Sequence, residues 1–213
     1  MPHTLLNNRN KHISYQVKGY KNNQNSSLQN SGMSTIKVHD KYFIPYMTEA
    51  TVLARIAEIG KDIDRDYNGK KPLFIAILNG SFMFASDLFK CVSIDAEICF
   101  IKLASYKGTK STGQVITAIG LDTDIVDRHV IIVEDIIDTG KTMNEFLPQL
   151  YNQQPASLKI AALLHKPEAT QYPITIDYLG FSVPNKFLLG YGLDYDGLGR
   201  NLKEIYQLTE NPS

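Results

Sequence analysis

This 213-residue chain predicts an α/β protein, with a mostly parallel sheet covered by helices on both faces. Two observations carry that expectation. Short apolar runs rich in β-branched residues recur along the chain, among them LFIAIL (73–78), VIIVE (130–134) and LKIAALL (158–164). Predominantly apolar runs of that length suit strands buried on both faces. Segments with helical spacing lie between them, and strand–helix alternation is the mark of parallel sheets built by crossovers.

The elements follow in order. From Thr48 to Tyr67 the residues Val52, Ile56, Ile59 and Ile63 fall three or four apart, one helical stripe. Thr48 suits its N-cap, Glu49 its first turn, and Asn68-Gly69 its end. LFIAIL is the first core strand, and NGSFMFASDLF (79–89) reads as a turn leading into a helix. AEICFIKLAS (96–105) and VITAIGL (115–121) are the next strands, separated by the polar stretch 106–114. VIIVE is a fourth strand, a helix is expected over 139–153 with Pro148 ending or kinking it, and LKIAALL is a fifth strand. The C-terminal pieces IDYLGF, KFLLGYG and EIYQL have no helical stripe and predict a small accessory lobe beside the main sheet.

VIIVEDIIDTGKT, residues 130–142, concentrates the chemistry. An apolar strand runs into Glu134 and Asp135, then Ile136-Ile137, then Asp138 and Thr139-Gly140-Lys141-Thr142. A solvated acidic loop would explain the carboxylates but neither the two isoleucines nor the tail. Small hydroxyl residues and glycine opening a helix gather free N–H groups and the positive dipole end, a site for phosphate. Carboxylates beside such a site would repel the ligand unless a divalent cation or sugar hydroxyls lie between. The combination points to a phosphorylated sugar. A Walker loop would need Gly where Asp135 stands, and no G-x-G-x-x-G is present in the stretch.

This stretch resembles the ribose-phosphate loop of the purine phosphoribosyltransferases, most of all their hypoxanthine-guanine branch, and the likeness runs from about Val38 to Leu208. It implies a type I phosphoribosyltransferase fold with a C-terminal hood, and transfer from phosphoribosyl pyrophosphate to hypoxanthine or guanine, giving IMP or GMP. By the same resemblance Glu134 and Asp135 face the ribose hydroxyls, directly or through metal. Asp138 is the general base near purine N7, and residues Asp138 to Thr142 cradle the 5′-phosphate. Lys166 meets the purine 6-oxo group, which an ammonium, a donor only, favours over a 6-amino group. Phe187 stacks on the purine, and the backbone of Leu188 and Asp194 reads its edge. Asp194 is also associated with a second Mg²⁺, and Arg200 with the leaving pyrophosphate. Asn79, Gly80 and Ser81 match the pyrophosphate loop, although Asn79 stands where many relatives carry a basic residue; the strained non-prolyl cis peptide of that loop is expected at Asn79–Gly80. Ser105-Tyr106 opens the expected lid. His165 is read as structural. The resemblance also implies a homodimer or homotetramer, and Mg²⁺ arriving with the substrate rather than held in a fixed cage.

Composition narrows the rest. Twenty-two basic and twenty-two acidic residues balance, so nothing suggests a nucleic-acid footprint. No apolar run has the length of a membrane span. Cys91 and Cys99 lack metal or redox spacing, and both are expected to be reduced in a cytoplasmic protein. Residues 1–32 contain no Asp or Glu and are rich in Asn, Gln and Ser. They are expected to be a disordered extension ahead of a single domain, 33–213, and truncation to Met33 should leave activity intact. Two alternatives stay open: a xanthine-preferring relative, and a non-catalytic regulator of the same fold that senses the nucleotide and binds RNA or DNA.

Overall fold

The computed structural model describes residues 34–105, 115–119 and 121–210, and these lie in one compact unit, Met33–Ser213. The polar extension 1–32 and the lid residues 106–114, Tyr106 among them, lie outside the described residues.

The described residues open with a hairpin, β1 (Ile36–Val38) and β2 (Lys41–Met47), turned by His39-Asp40 with His39 at φ 51°. Helix α1 (Glu49–Asp66) follows, with Thr48 as its N-cap accepting the Thr51 amide at 3.3 Å. The expected stripe Val52, Ile56, Ile59 and Ile63 is its buried face. Next come β3 (Leu73–Leu78), α2 (Phe82–Cys91), β4 (Glu97–Ser105), β5 (Val115–Ile119), β6 (His129–Ile137), α3 (Lys141–Tyr151), β7 (Ser157–His165) and β8 (Tyr178–Ser182). Two short strands, β9 (Leu188–Leu189) and β10 (Ile205–Thr209), complete the chain.

The main sheet has the order β5-β4-β3-β6-β7-β8, parallel throughout except β5, which runs antiparallel to β4 at one edge. Strand alternation splits the core by face. Phe74 and Ala76 of β3, with Ile131 and Val133 of β6, point to α1 and α2. Leu73, Ile75 and Ile77, with Val130 and Ile132, point to Met143, Phe146 and Leu150 of α3. The sheet is thus covered on both faces.

Two expectations change, and the open question at Pro148 is narrowed. IDYLGF belongs to the main sheet as β8, parallel to β7, and not to the accessory lobe. That lobe is a second sheet, β1-β2-β10-β9, so the hood is made from both ends of the described chain rather than the C-terminus alone. Pro45 lies within β2: its missing N–H falls where the β2–β10 register shifts between Ile205 and Tyr206, a bulge that tolerates proline. Pro148 does not end α3, which continues to Tyr151. Proline has no N–H to give the Asn144 carbonyl, and the following turn closes through Asn152 N–H to the Pro148 carbonyl at 3.0 Å.

Candidate active site

Strand β6 runs further than its apolar run suggests. Glu134 pairs with Ala162, Ile136 with Leu164 and Ile137 with His165 of β7, so the acid pair sits inside the sheet and the true loop is only Asp138 to Gly140. This explains the isoleucines between the acids: they are strand residues, and Ile137 is buried. It also explains the electrostatics. Burial, with Asp135 beside it, pushes the Glu134 carboxyl well above the usual carboxylate range, and Glu134 Oε2 has no hydrogen-bond partner. Burial pushes Asp135 up to about 6; its Oδ1 accepts the Ile136 amide at 2.9 Å, and Arg200 pulls the other way.

Beyond the strand the chain turns into α3 through Gly140 at φ +79°, which a side chain would strain. A Cβ there would also lie 2.2 Å from the Tyr172 carbonyl. The turn is pinned from outside by the amides of Gln171 and Tyr172, both 3.0 Å from the Thr139 carbonyl. The Lys141 amide reaches Thr139 Oγ1 at 3.3 Å. Glu134, Ile136, Ile137, Asp138, Thr139, Gly140, Thr142 and Met143 enclose a cavity of about 90 Å³. First-turn amides of a helix have no acceptor within it, so this cavity has carboxylates on one side and a helix start on the other.

Asp138 and Lys166 meet here. Lys166 Nζ donates to Asp138 Oδ2 at 2.9 Å, and Lys166 is only 8% exposed while the Asp138 side chain is 48% exposed. Strand pairing brings them together, since Ile137 and His165 are register partners and the Lys166 amide continues to the Ile137 carbonyl at 3.0 Å. His165 supports this turn. Thr170 Oγ1 donates to the Lys166 carbonyl at 3.1 Å, which leaves the Thr170 oxygen to accept from His165 Nε2 at 3.0 Å.

The 79–81 turn closes a second side. The cis peptide lies at Leu78–Asn79, one bond earlier than expected. Asn79 is exposed. Gly80 lies against Asp135: a Cβ there would sit 1.7 Å from Asp135 Oδ2, so any larger residue would have to displace that carboxylate. Ser81 is fully buried, and its hydroxyl turns inward to the Ile77 carbonyl at 2.6 Å.

The hood meets this turn through Gly192, where a Cβ would lie 2.1 Å from the Gly80 carbonyl. Around it Arg200 donates to the Gly192 carbonyl at 2.7 Å and pairs with Asp194 Oδ1 at 2.6 Å, while Asp194 Oδ2 accepts the Gly197 amide at 2.7 Å. Asp194 and Arg200 therefore neutralise each other here. Tyr191, left-handed at φ 48°, donates its buried hydroxyl to Asp87 of α2 at 2.5 Å. Burial first, and then that bond to the carboxylate, pushes the Tyr191 hydroxyl pKa up. Phe187 is 41% exposed, and Leu188 is buried in β9.

The expected residues thus fall into two adjoining groups, the β6–α3 cavity with Lys166 and the hood turn with Phe187, Asp194 and Arg200, linked by Gly80. Sequence reading missed Gly192 and the β1–β2 hairpin. A two-residue turn between IKV and KYFIPYM was a usable hairpin signal; the Gly192–Gly80 approach had none.

A parallel sheet with this order, helices on both faces and a separate antiparallel hood define the class by architecture: the type I phosphoribosyltransferase fold. The family model for the phosphoribosyl transferase domain matches residues 48–196. The hypoxanthine-guanine phosphoribosyltransferase of Lactococcus lactis is 41% identical over 160 residues, 75% of this chain and 87% of that protein. The hypoxanthine-guanine-xanthine phosphoribosyltransferase of Tritrichomonas foetus is 42% identical over 158 residues, 74% of this chain and 86% of its own. The crystal structure of a hypoxanthine-guanine phosphoribosyltransferase from Bacillus anthracis superposes with a TM-score of 0.72 at 35% identity, covering 78% of this chain and 96% of that one. The chain belongs to the phosphoribosyltransferase family, and within it to the hypoxanthine-guanine phosphoribosyltransferases.

Proposed function

We propose that this protein transfers a phosphoribosyl group from phosphoribosyl pyrophosphate to hypoxanthine or guanine, forming IMP or GMP and pyrophosphate in purine salvage. The observation that carries the reading is the Asp138–Lys166 pair at the rim of the β6–α3 cavity. A base and a donor are poised together beside a phosphate-sized pocket. In this reading the 5′-phosphate takes the helix start at Asp138 to Thr142, and the ribose hydroxyls face Glu134 and Asp135.

As purine N9 bonds to the anomeric carbon, that carbon's bond to pyrophosphate breaks and the electron pair leaves on the pyrophosphate. The N7 proton then passes to Asp138. Such help is typically worth ~100- to 10,000-fold. Lys166 donates to the 6-oxo group, exchanging its bond to Asp138 for one to the base; adenine offers no acceptor there. Phe187 supplies the stacking surface, with Leu188 and Asp194 at the purine edge. Gly80 presents its backbone to the pyrophosphate. Ser81 contributes through the turn it holds rather than through its hydroxyl. Arg200 neutralises pyrophosphate once it parts from Asp194.

Mg²⁺ belongs to this reading. The unpartnered Glu134 oxygen and the raised Asp135 carboxyl fit a hard cation, with Asp194 within the same reading as a ligand. Glu134, Asp135 and Asp194 would hold the cation together with oxygens of the substrate that brings it. When bound, the cation offsets the charge of the departing pyrophosphate. The reading also places the activity in residues 33–213 and the protein in the cytoplasm as a homodimer or homotetramer. Among the described residues no helix is long and apolar enough to cross a membrane.

The test offers hypoxanthine, guanine, xanthine and adenine separately to the purified protein with Mg²⁺ and phosphoribosyl pyrophosphate. IMP and GMP should form, and AMP should not. No nucleotide from any base would overturn the reading, and salt-sensitive nucleic-acid binding in its place would favour a regulator.

A further inference from the structure

The hairpin turn at the start of the described chain reaches the hood beside Phe187, 157 residues away in the case of the His39–Asp196 contact. Asp40 Oδ1 accepts the Tyr195 hydroxyl at 2.6 Å, and His39 Nε2 lies 3.3 Å from the Asp196 carbonyl. The Tyr195 ring is held on several sides. His39 meets it edge-on with centroids 5.6 Å apart, and Lys41 Nζ sits 4.9 Å from its centroid. Its own backbone is locked by paired bonds with Leu198, at 2.9 and 3.1 Å. Tyr195 in turn meets Phe187 edge-on, centroids 5.7 Å apart at 82°, and Phe43 of β2 touches both rings at 6.2 Å. Phe187 nevertheless remains 41% exposed.

A ring left that exposed, yet braced by two aromatic neighbours in preferred edge and tilted geometries, is a prepared surface and not a stray core residue. We propose that Tyr195 is a positioning residue for the purine, clasped by Asp40 and Lys41 of the hairpin so that it holds the Phe187 ring at a fixed angle for stacking. The clasp makes the β1–β2 turn a determinant of base affinity although it supplies no group to the substrate. The Tyr195 hydroxyl is the donor and Asp40 the ionised acceptor: the bond lowers the Asp40 pKa and raises that of Tyr195. The inference rests on the proposed function, in which Phe187 is the stacking surface.

The test compares wild type with Asp40→Ala, Asp40→Asn and Tyr195→Phe, measuring KM for hypoxanthine, KM for phosphoribosyl pyrophosphate and Tm. Loss of the clasp should raise the hypoxanthine KM by roughly three- to tenfold in Asp40→Ala and Tyr195→Phe. The donor KM and Tm should stay at wild-type values. Asp40→Asn keeps an oxygen that accepts the phenol and should restore the wild-type KM. A hypoxanthine KM unmoved in both disrupting variants overturns the inference, as does a joint rise of the two KM values with a fall in Tm, the signature of general loosening. An inactive wild type would defeat the underlying function instead, and is seen before any variant is made.

Discussion

The β6–α3 loop and the hood turn adjoin each other, yet they are built by opposite strategies. Residues 134–142 lie consecutively on one strand end and one helix start, and their geometry is imposed by a parallel sheet buried on both faces. The hood turn, 187–200, lies on a four-stranded antiparallel sheet assembled from segments more than a hundred residues apart. It is held by individual bonds: Tyr191 to Asp87, Tyr195 to Asp40, Arg200 to Asp194. A site made by continuous sheet pairing can hold a buried carboxyl oxygen without a hydrogen-bond partner, as Glu134 shows, its burial favouring the neutral acid. A site made by separate clasps keeps its charges paired and can change one contact at a time. The first suits charge stabilisation, and the second suits fitting a base.

Removing the proposed base from the first region should have the largest effect. Asp138→Asn keeps the size and loses the proton acceptor, and turnover is expected to fall by ~100- to 10,000-fold, about 3–5 kcal/mol, with donor affinity little changed. Steady-state kinetics with direct donor titration checks this, and near-wild-type turnover would remove Asp138 from the mechanism.

The stored charge is next. Asp135 has a folded value of about 6 against 3.8 when unperturbed, so between these values the folded protein binds more protons than the unfolded chain. The contribution of Asp135 to stability is therefore fullest below about pH 4 and declines as pH rises through 6, by roughly 2–4 kcal/mol, with Glu134 adding in the same direction. In protein free of metal and donor, Asp135→Asn should raise the denaturation midpoint at pH 8 and leave it nearly unchanged at pH 4. It should also weaken donor binding. Equal shifts at the two pH values would show that the sheet does not hold this charge under strain.

Lys166 bridges the regions. Lys166→Ala should raise the hypoxanthine KM roughly 10- to 100-fold, the loss of a charge-assisted bond worth about 1.5–3 kcal/mol, while the donor KM moves by no more than about twofold. If both rise together, the division into a charge site and a base site fails. The smallest effect belongs to the hood's anchor. Tyr191→Phe removes the bond to Asp87, which keeps Lys90 as a partner at 2.5 Å, and should cost about 1–2 kcal/mol of stability by denaturant titration. The purine KM should hold, because Tyr195 and not Tyr191 abuts Phe187.

Legibility followed the same division. The stripe of α1 and the run of β3 were readable because periodicity and turn residues are local signals. The acid–isoleucine–acid–TGKT stretch was readable for the same reason, although its strand proved longer than its apolar letters. Pairing with β7 carried β6 through the carboxylates to Ile137. IDYLGF was misplaced because a parallel edge strand looks the same on paper as a lobe strand; only its register with Ala161 to His165 tells them apart. The β1–β2 turn was a usable signal, but nothing nearby announces the bulge that lets β2 carry Pro45.

The residues by themselves determined most strands and helices of the main sheet, the run of carboxylates, small residues and a helix start over 134–142, and which family the chain resembles. Hydrophobic period, caps and contiguous motifs act over a few residues, and a linear string displays them. Tertiary structure alone decided that Lys166 meets Asp138, that Gly80 leaves no room beside Asp135, and that the first hairpin clasps Tyr195 beside Phe187. Those contacts depend on strand order and register, which arise when distant segments compete to bury the same surface.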